Sequence, residues 1–249
     1  MTKVQRLFRP KRLRLMAGFE AARLTKIRKN VVEAEISLDL GLSKTFCQLT
    51  PEAVVAGTLT IGWEDLERAA EVHEDVYIVG RKMRMLSWFK GSYYKLVLPR
   101  WGHAPTVEIN GIRMHRTEDV PPELDAAQKI QLVRSLRGRK VLDVCTGLGY
   151  TSIAAWRMGA ARVVSVEKDP NVLRMASYNP WSREMFGNVE IVLDDAVDFL
   201  TSCGEVFDVA VHDPPTFKMA GELYSLEFYR LLAGVLRKGG ELVHYVGQP

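Results

Sequence analysis

The sequence predicts an α/β fold: a parallel sheet covered on both faces by helices, preceded by a small β-rich domain. Two patterns carry the prediction. From Val120 onward, helical segments alternate with short runs of continuous apolar character, as strands buried on both faces require. From Val31 to about Thr117 the runs are short and alternate apolar with polar residues, as strands with one wet face require. Composition agrees, because 249 residues that are 47% hydrophobic and 26% charged can bury roughly 70 to 75% of the unfolded surface. Disordered, collagen-like and disulfide-stapled chains are excluded.

The elements follow in order. Residues 1–30 hold ten Lys or Arg and one acid, Glu20, whereas residues 31–249 hold 24 bases and 29 acids. The first segment therefore reads as a basic arm, with Met16 as an alternative start. Such an arm suits phosphate contacts with nucleic acid, although a solvated tail is the plainer reading. Across 31–119, VVEAEISLDL, VYIVG, SYYKLVL and TVEINGIRMH read as strands, and Trp63–Val72 is the one good helix. From residue 120, PPELDAAQKIQLVRSLR, KVLDVCTG, TSIAAWRMGA, RVVSVEK, PNVLRMASY, VEIVL, DAVDFLTSC, FDVAVHD, ELYSLEFYRLLAGVLRK and GGELVHYVG form a run of βα units. Ligands of such a sheet bind beyond the carboxyl ends of its strands.

The longest stretch without Asp, Glu, Lys or Arg runs from Val144 to Trp156, 13 residues, short of the ~18 that a bilayer demands. No secretory apolar core is seen near the amino terminus. Cys47, Cys145 and Cys203 are far apart and form no CxxC pair, so neither zinc nor disulfides are expected. A reducing cytoplasm is the expected location.

Chemistry concentrates at the predicted strand ends. The first strand runs into Asp143-Val144-Cys145-Thr146-Gly147-Leu148-Gly149, where the glycines allow a sharp turn and close approach of a ligand to the next helix. Alone, a Gly-x-Gly turn is weak evidence, and Ser152 stands where a third Gly or Ala belongs in the dinucleotide fingerprint. Glu167 ends the second strand 18 residues past Gly149, where a carboxylate can accept from both hydroxyls of a ribose. After the third strand comes Asp194-Asp195: one carboxylate can take an adenine amino group while the other caps the following helix, and Asp195 is preferred for adenine. The fourth strand ends in His212-Asp213-Pro214-Pro215-Thr216-Phe217. Two prolines fix φ and remove two donors, which leaves an acceptor-rich rim suited to an N–H donor.

Asp143 to Gly149, Glu167, Asp195 and Asp213 to Phe217 resemble the successive motifs of class I S-adenosylmethionine-dependent methyltransferases. The Asp-Pro-Pro element is similar to that of enzymes methylating amino or ring nitrogens of bases, including ribosomal RNA methyltransferases that read Asp-Pro-Pro-Thr-Phe. Across most of the chain after Val31, ISLDLGLSKT, GIRMHRT, DVCTGLGYTS, YNPWS, HDPPTF, AGELYSLEFY and HYVG resemble the spermine-synthase-like predicted archaeal methyltransferases. The resemblance implies a Rossmann-like domain with S-adenosyl-L-methionine as cofactor. Asp143, Thr146, Gly147, Gly149, Glu167 and Asp195 would bind it, with Asp143 placing the methionine amine. Asp213 and Pro214 would be catalytic, Thr216, Phe217 and Trp181 would line the acceptor pocket, and His212, His115 and His244 carry minor weight. Polyamine aminopropyltransferases share the implied fold, but they carry an acid in the glycine loop where this chain has Tyr150, and a second strand-four acid where it has Thr216.

Methyl transfer to a nitrogen of RNA or of a small amine is therefore the leading expectation. An aminopropyltransferase and a non-catalytic RNA-binding protein are the alternatives. The chain stops directly after the predicted fifth strand, so the sheet is expected to lack two strands of the resembled fold. Its edge would then be covered by a second copy or another partner, or by the β-rich domain; a truncated product is the other explanation.

Overall fold

A computed structural model describes residues 8–246. They divide into two compact units, Lys11–Pro122 and the segment from Glu123 onward.

The first unit comprises β1 (Leu15–Ala17), α1 (Gly18–Ile27), β2 (Glu33–Ile36), β3 (Thr45–Leu49), β4 (Ala53–Ala56), β5 (Leu59–Gly62), α2 (Trp63–Ala70), β6 (Val76–Ile78), β7 (Arg84–Met85), β8 (Ser87–Lys90), β9 (Ser92–Val97), β10 (Thr106–Ile109) and β11 (Ile112–Arg113). They form three antiparallel sheets, ordered β1-β6-β7, β2-β3-β4-β5 and β11-β10-β9-β8.

The segment expected to be a basic arm is instead folded from Leu15 to Ile27. Met16, Ala21 and Leu24 are buried in the same core as Ile36, Val54, Trp63 and Leu66, and burying such side chains contributes about 1.5 to 3 kcal/mol each for the larger ones. The basic residues do not prevent this. Arg23 pairs with the buried Glu20 at 2.8 Å, and the Arg28 guanidinium lies 4.5 Å from the Trp63 ring centre. Gly18 permits α1 and α2 to approach closely, since a Cβ there would lie 2.1 Å from the Val72 carbonyl oxygen. The part of the arm expectation that concerns residues 1–7 falls outside the described residues.

The second unit carries α3 (Pro122–Gln131), β12 (Lys140–Val144), α4 (Tyr150–Arg157), β13 (Arg162–Glu167), α5 (Pro170–Tyr178), α6 (Met185–Asn188), β14 (Glu190–Leu193), α7 (Ala196–Ser202), β15 (Phe207–His212), α8 (Leu226–Gly234) and β16 (Leu236–His244). Its sheet is wholly parallel, in the order β14-β13-β12-β15-β16. The predicted α/β class, with a parallel sheet preceded by smaller β-sheets, is the observed one. Continuous burial explains the apolar runs. Leu142, Val144, Val164, Val166 and Ala210 join a core with Leu200 of α7 and Phe228 and Leu232 of α8, while Val141, Val163, Val209 and Val211, one position out of step, are also buried. Among the described residues the sheet has five strands, with β14 and β16 at its edges. Strand order reverses between β12 and β15, which opens the ligand crevice of such sheets at their carboxyl ends.

Candidate active site

The crevice floor is the turn after β12. Val144 is in register with both Val166 and His212, so the next residues run between the ends of β13 and β15. The N–H groups of Cys145 and Thr146 both donate to the Val166 carbonyl, at 3.1 and 3.0 Å. Cys145 adopts a left-handed φ of 68°, an uncommon conformation for a residue with a side chain, and Gly149 has φ 82°. Gly149 is required twice over: a Cβ there would also lie 2.2 Å from the Met185 sulfur.

Asp143 lies beneath this turn, fully buried, and accepts hydrogen bonds from Thr151 Oγ1 and Ser165 Oγ at 2.7 Å each. Burial pushes its carboxyl up to about 6 against the lowering effect of those two bonds. Thr146 is likewise buried, its hydroxyl 2.7 Å from Ser165 Oγ. Both expected cofactor residues thus share Ser165 of β13 as a hydrogen-bond partner. A carboxylate inside an apolar sheet needs donors, and Ser165, the lone polar residue in the run Val163–Val166, is the sequence signal for one.

Glu167 closes the turn from the β13 side. Its Oε2 accepts from Gly147 N and its Oε1 from Asp169 N, at 2.9 Å each. Burial raises its carboxyl to about 7, opposed by those N–H groups. Asp195 caps α7, Oδ1 accepting from Val197 N at 2.8 Å. Asp195, the residue expected at adenine, thus also supplies the acceptor that a short helix beginning at Ala196 requires for an orphan N–H. Asp194 precedes it, its N–H donating to the Glu167 carbonyl and its Oδ1 accepting from Asp195 N, at 3.0 Å each.

Beyond β15, Asp213 Oδ2 meets Lys129 Nζ at 2.6 Å, and the same ammonium meets Asp125 Oδ2 at 2.7 Å and lies 4.7 Å from the Tyr245 ring centre. Burial raises the Asp213 carboxyl, while Lys129 pulls it back down. Sequence reading missed Lys129, Asp125 and Tyr245; the four-residue spacing of Asp125 and Lys129 on a helix was the available signal. Pro214 is buried, and the Pro215 carbonyl accepts from Tyr224 OH at 2.9 Å. Thr216 and Phe217 are exposed, Phe217 edge-on to Tyr224 with centroids 5.7 Å apart.

Trp181, expected beside the acceptor, belongs to a segment that braces the glycine turn. Its N–H donates to Asn179 Oδ1, Asn179 Nδ2 donates to Tyr150 OH and to Ser182 Oγ, and Ser182 Oγ donates to the Leu148 carbonyl. Buried Tyr150 is thus occupied as structural support. His212 is buried, with Nε2 2.9 Å from the Leu223 carbonyl, Nδ1 unpartnered, and its imidazolium disfavoured by burial to about 4. His244 lies between the His212 carbonyl and Tyr229 OH, at 2.9 Å from each. His115 lies in the first unit, 2.8 Å from Thr106 Oγ1.

Asp143 on β12, Glu167 at the end of β13 and Asp213 after β15 stand around the same turn. The Cys145 thiol, held high by burial, is pushed higher still by Glu167, Asp143 and Asp213. Burial raises two of these three acids well above their ordinary range, and a ligand that brings a positive charge together with hydroxyl or N–H donors would stabilise their ionised, accepting form. An adenosine carrying a sulfonium has that chemistry, so the residues fit S-adenosylmethionine. No helix among the described residues is long and apolar enough to cross a membrane.

Residues 124–243 match the family model described as Conserved hypothetical protein 95. The uncharacterized protein MJ1233 of Methanocaldococcus jannaschii is 42% identical over 239 residues, covering 90% of this chain and 81% of that protein. A polyamine aminopropyltransferase of Mycobacterium tuberculosis is 26% identical over 84% of this chain, which spans 40% of that enzyme's length. In fold, the chain is similar to a spermidine synthase crystallised with the transition-state analogue AdoDATO, with a TM-score of 0.52 and 19% identity over 61% of this chain and 54% of that one. The fold is that of the class I S-adenosylmethionine-dependent methyltransferases, which the spermidine synthases share.

Proposed function

The chain belongs to the family of the Methanocaldococcus jannaschii protein MJ1233, and from that membership and its fold we propose that it is an S-adenosylmethionine-dependent methyltransferase acting on a nitrogen, of RNA or of a small amine. The observation that carries the reading is the placement of three acids around the Cys145–Gly149 turn: Asp143 two residues before it on β12, Glu167 accepting from its Gly147 N–H, and Asp213 directly after His212, the β15 residue in register with Val144. S-adenosylmethionine supplies an electrophilic methyl on a sulfonium. Glu167 would receive the ribose hydroxyls, exchanging its bond from Gly147 N for theirs. In the pair Asp194–Asp195 each residue accepts a backbone N–H through Oδ1, and Asp194 would take the adenine amino group through its other oxygen. Asp143 and Thr146 hold the turn rigid, and their carboxylate and dipoles favour the cation above them.

Asp213 and the Pro214 carbonyl would grip the acceptor's N–H groups and aim its lone pair, so that catalysis is mainly orientation at near-attack distance. For an exocyclic base amine those two acceptors favour a tetrahedral nitrogen. For an aliphatic amine Asp213 would also have to take up the proton.

The second reading is aminopropyl transfer from decarboxylated S-adenosylmethionine, favoured by the sequence match to polyamine aminopropyltransferases. Against it, Tyr150 is buried with its hydroxyl accepting from Asn179, and exposed Thr216 supplies no second acid. Calorimetry with both sulfonium compounds separates the readings. Tighter binding of S-adenosylmethionine, weakened tenfold to a hundredfold by Glu167→Ala, is expected, because two hydrogen bonds to a carboxylate are removed. Tighter binding of the decarboxylated compound would reverse the assignment.

A further inference from the structure

Asp213, the residue assigned to grip the acceptor, already holds a cation. Lys129 Nζ lies 2.6 Å from Asp213 Oδ2 and 2.7 Å from Asp125 Oδ2, and is 4.7 Å from the Tyr245 ring centre. The lysine side chain is 15% exposed and those of Asp125 and Asp213 are 12% and 24% exposed, so the cluster is largely withdrawn from water. Asp125 is one helical turn before Lys129 on α3, which fixes the ammonium from its own helix while β15 delivers Asp213 from the sheet.

We propose that Lys129 is a positioning and specificity residue that makes this site select a neutral nitrogen, such as the exocyclic amine of a base, over a cationic amine such as a polyamine. The inference rests on the methyltransferase reading above. An ammonium seated on Asp213 has three consequences. It cancels one of two adjacent negative charges. It occupies the place on the carboxylate that a substrate ammonium would take. It also keeps Asp213 ionised, and therefore an acceptor, which a neutral N–H donor requires. A second cation sharing Asp213 would lie about 5 Å from Lys129 Nζ, and at a protein-like effective dielectric that repulsion is on the order of a hundredfold in affinity. A neutral amino group incurs no such repulsion and finds the remaining Asp213 oxygen and the Pro214 carbonyl.

The groups that face Lys129 from every packed element enter the test: Asp125 on α3, Asp213 after β15, and Tyr245 after β16, with His244 acting on Asp213 from β16. The full chain is loaded with S-adenosylhomocysteine, and spermidine binding is measured by calorimetry for the unmodified protein, Lys129→Gln and Lys129→Arg. Asp213 is titrated by carboxyl-carbon NMR in the same three proteins, and methyl transfer from S-adenosylmethionine is compared between total RNA and spermidine. The expected result is spermidine affinity at least tenfold higher in Lys129→Gln, an Asp213 titration moved to higher pH in that variant only, and Lys129→Arg resembling the unmodified protein on both counts. Unchanged spermidine affinity and an unmoved Asp213 titration in a folded Lys129→Gln would overturn the role of Lys129 while leaving the methyltransferase reading intact. Preferential methylation of spermidine by the unmodified protein would overturn it too. Failure of the unmodified protein to bind S-adenosylhomocysteine or S-adenosylmethionine would instead overturn the cofactor reading on which the inference stands.

Discussion

Glu167 gives the ligand-free protein a pH dependence opposite to that of ordinary salt-bridged acids. Its carboxyl rises from 4.5 to about 7 on folding because burial outweighs the two N–H groups it accepts from. A folded-state value above the unfolded one means that the folded protein binds the extra proton. The associated stability is therefore fully present below pH 4.5 and is lost as pH rises through about 7. At about 1.4 kcal/mol per pH unit the loss is about 3 kcal/mol. Asp143, raised from 3.8 to about 6, acts in the same direction, while His212, lowered from 6.5 to about 4, acts in the opposite one. Only a difference measurement isolates Glu167. Urea unfolding of the unmodified protein and of Glu167→Gln, from pH 4.5 to about 8.5 without ligand, supplies it. The unmodified protein is expected to lose about 3 kcal/mol relative to the variant across that range. Parallel curves, agreeing within about 0.5 kcal/mol at every pH, would refute the claim that Glu167 is held against its preferred charge state.

Further outcomes follow from the same geometry. Gly149→Ala forces a Cβ into the Met185 sulfur at a positive φ and should cost about 2 to 4 kcal/mol by denaturant unfolding. Asp195→Ala should cost about 1 kcal/mol of stability through the lost α7 cap while S-adenosylmethionine affinity stays within about threefold; Asp194→Ala should do the reverse, and calorimetry paired with unfolding tells them apart. Asp213→Asn should lower methyl transfer by about a hundredfold or more with cofactor affinity nearly unchanged; unchanged turnover would remove its assigned role.

Chemistry was legible where residue type alone constrains the outcome. The βα alternation, the Gly149 turn, the acid ending β13 and the Asp-Pro-Pro bend are local features: a strand buried on both faces must be apolar throughout, and two prolines end a ladder wherever they occur. The helix at Trp63 was visible for the same reason, with its observed end at Ala70. What periodicity could not reveal is which of several equivalent side chains faces which neighbour. Asp194 and Asp195 are indistinguishable as letters, and only the start of α7 shows which of them caps it. Asp143 and Thr146, cofactor residues by the resemblance, are also hydrogen-bonded to Thr151 and Ser165, partners that no local pattern identifies.

The amino acid order by itself determined the sheet, the sequence of strand ends and the kinds of group they carry, because these depend on hydrophobic period and backbone chemistry within a few residues. Only the tertiary structure decided that Leu15–Ile27 enters a core, that Asn179 and Ser182 brace the glycine turn and that Lys129 reaches Asp213 across 84 positions of chain. Charge counted along a sequence says nothing about pairing in space, and an ammonium takes its chemical meaning from the carboxylates that folding brings within hydrogen-bonding distance.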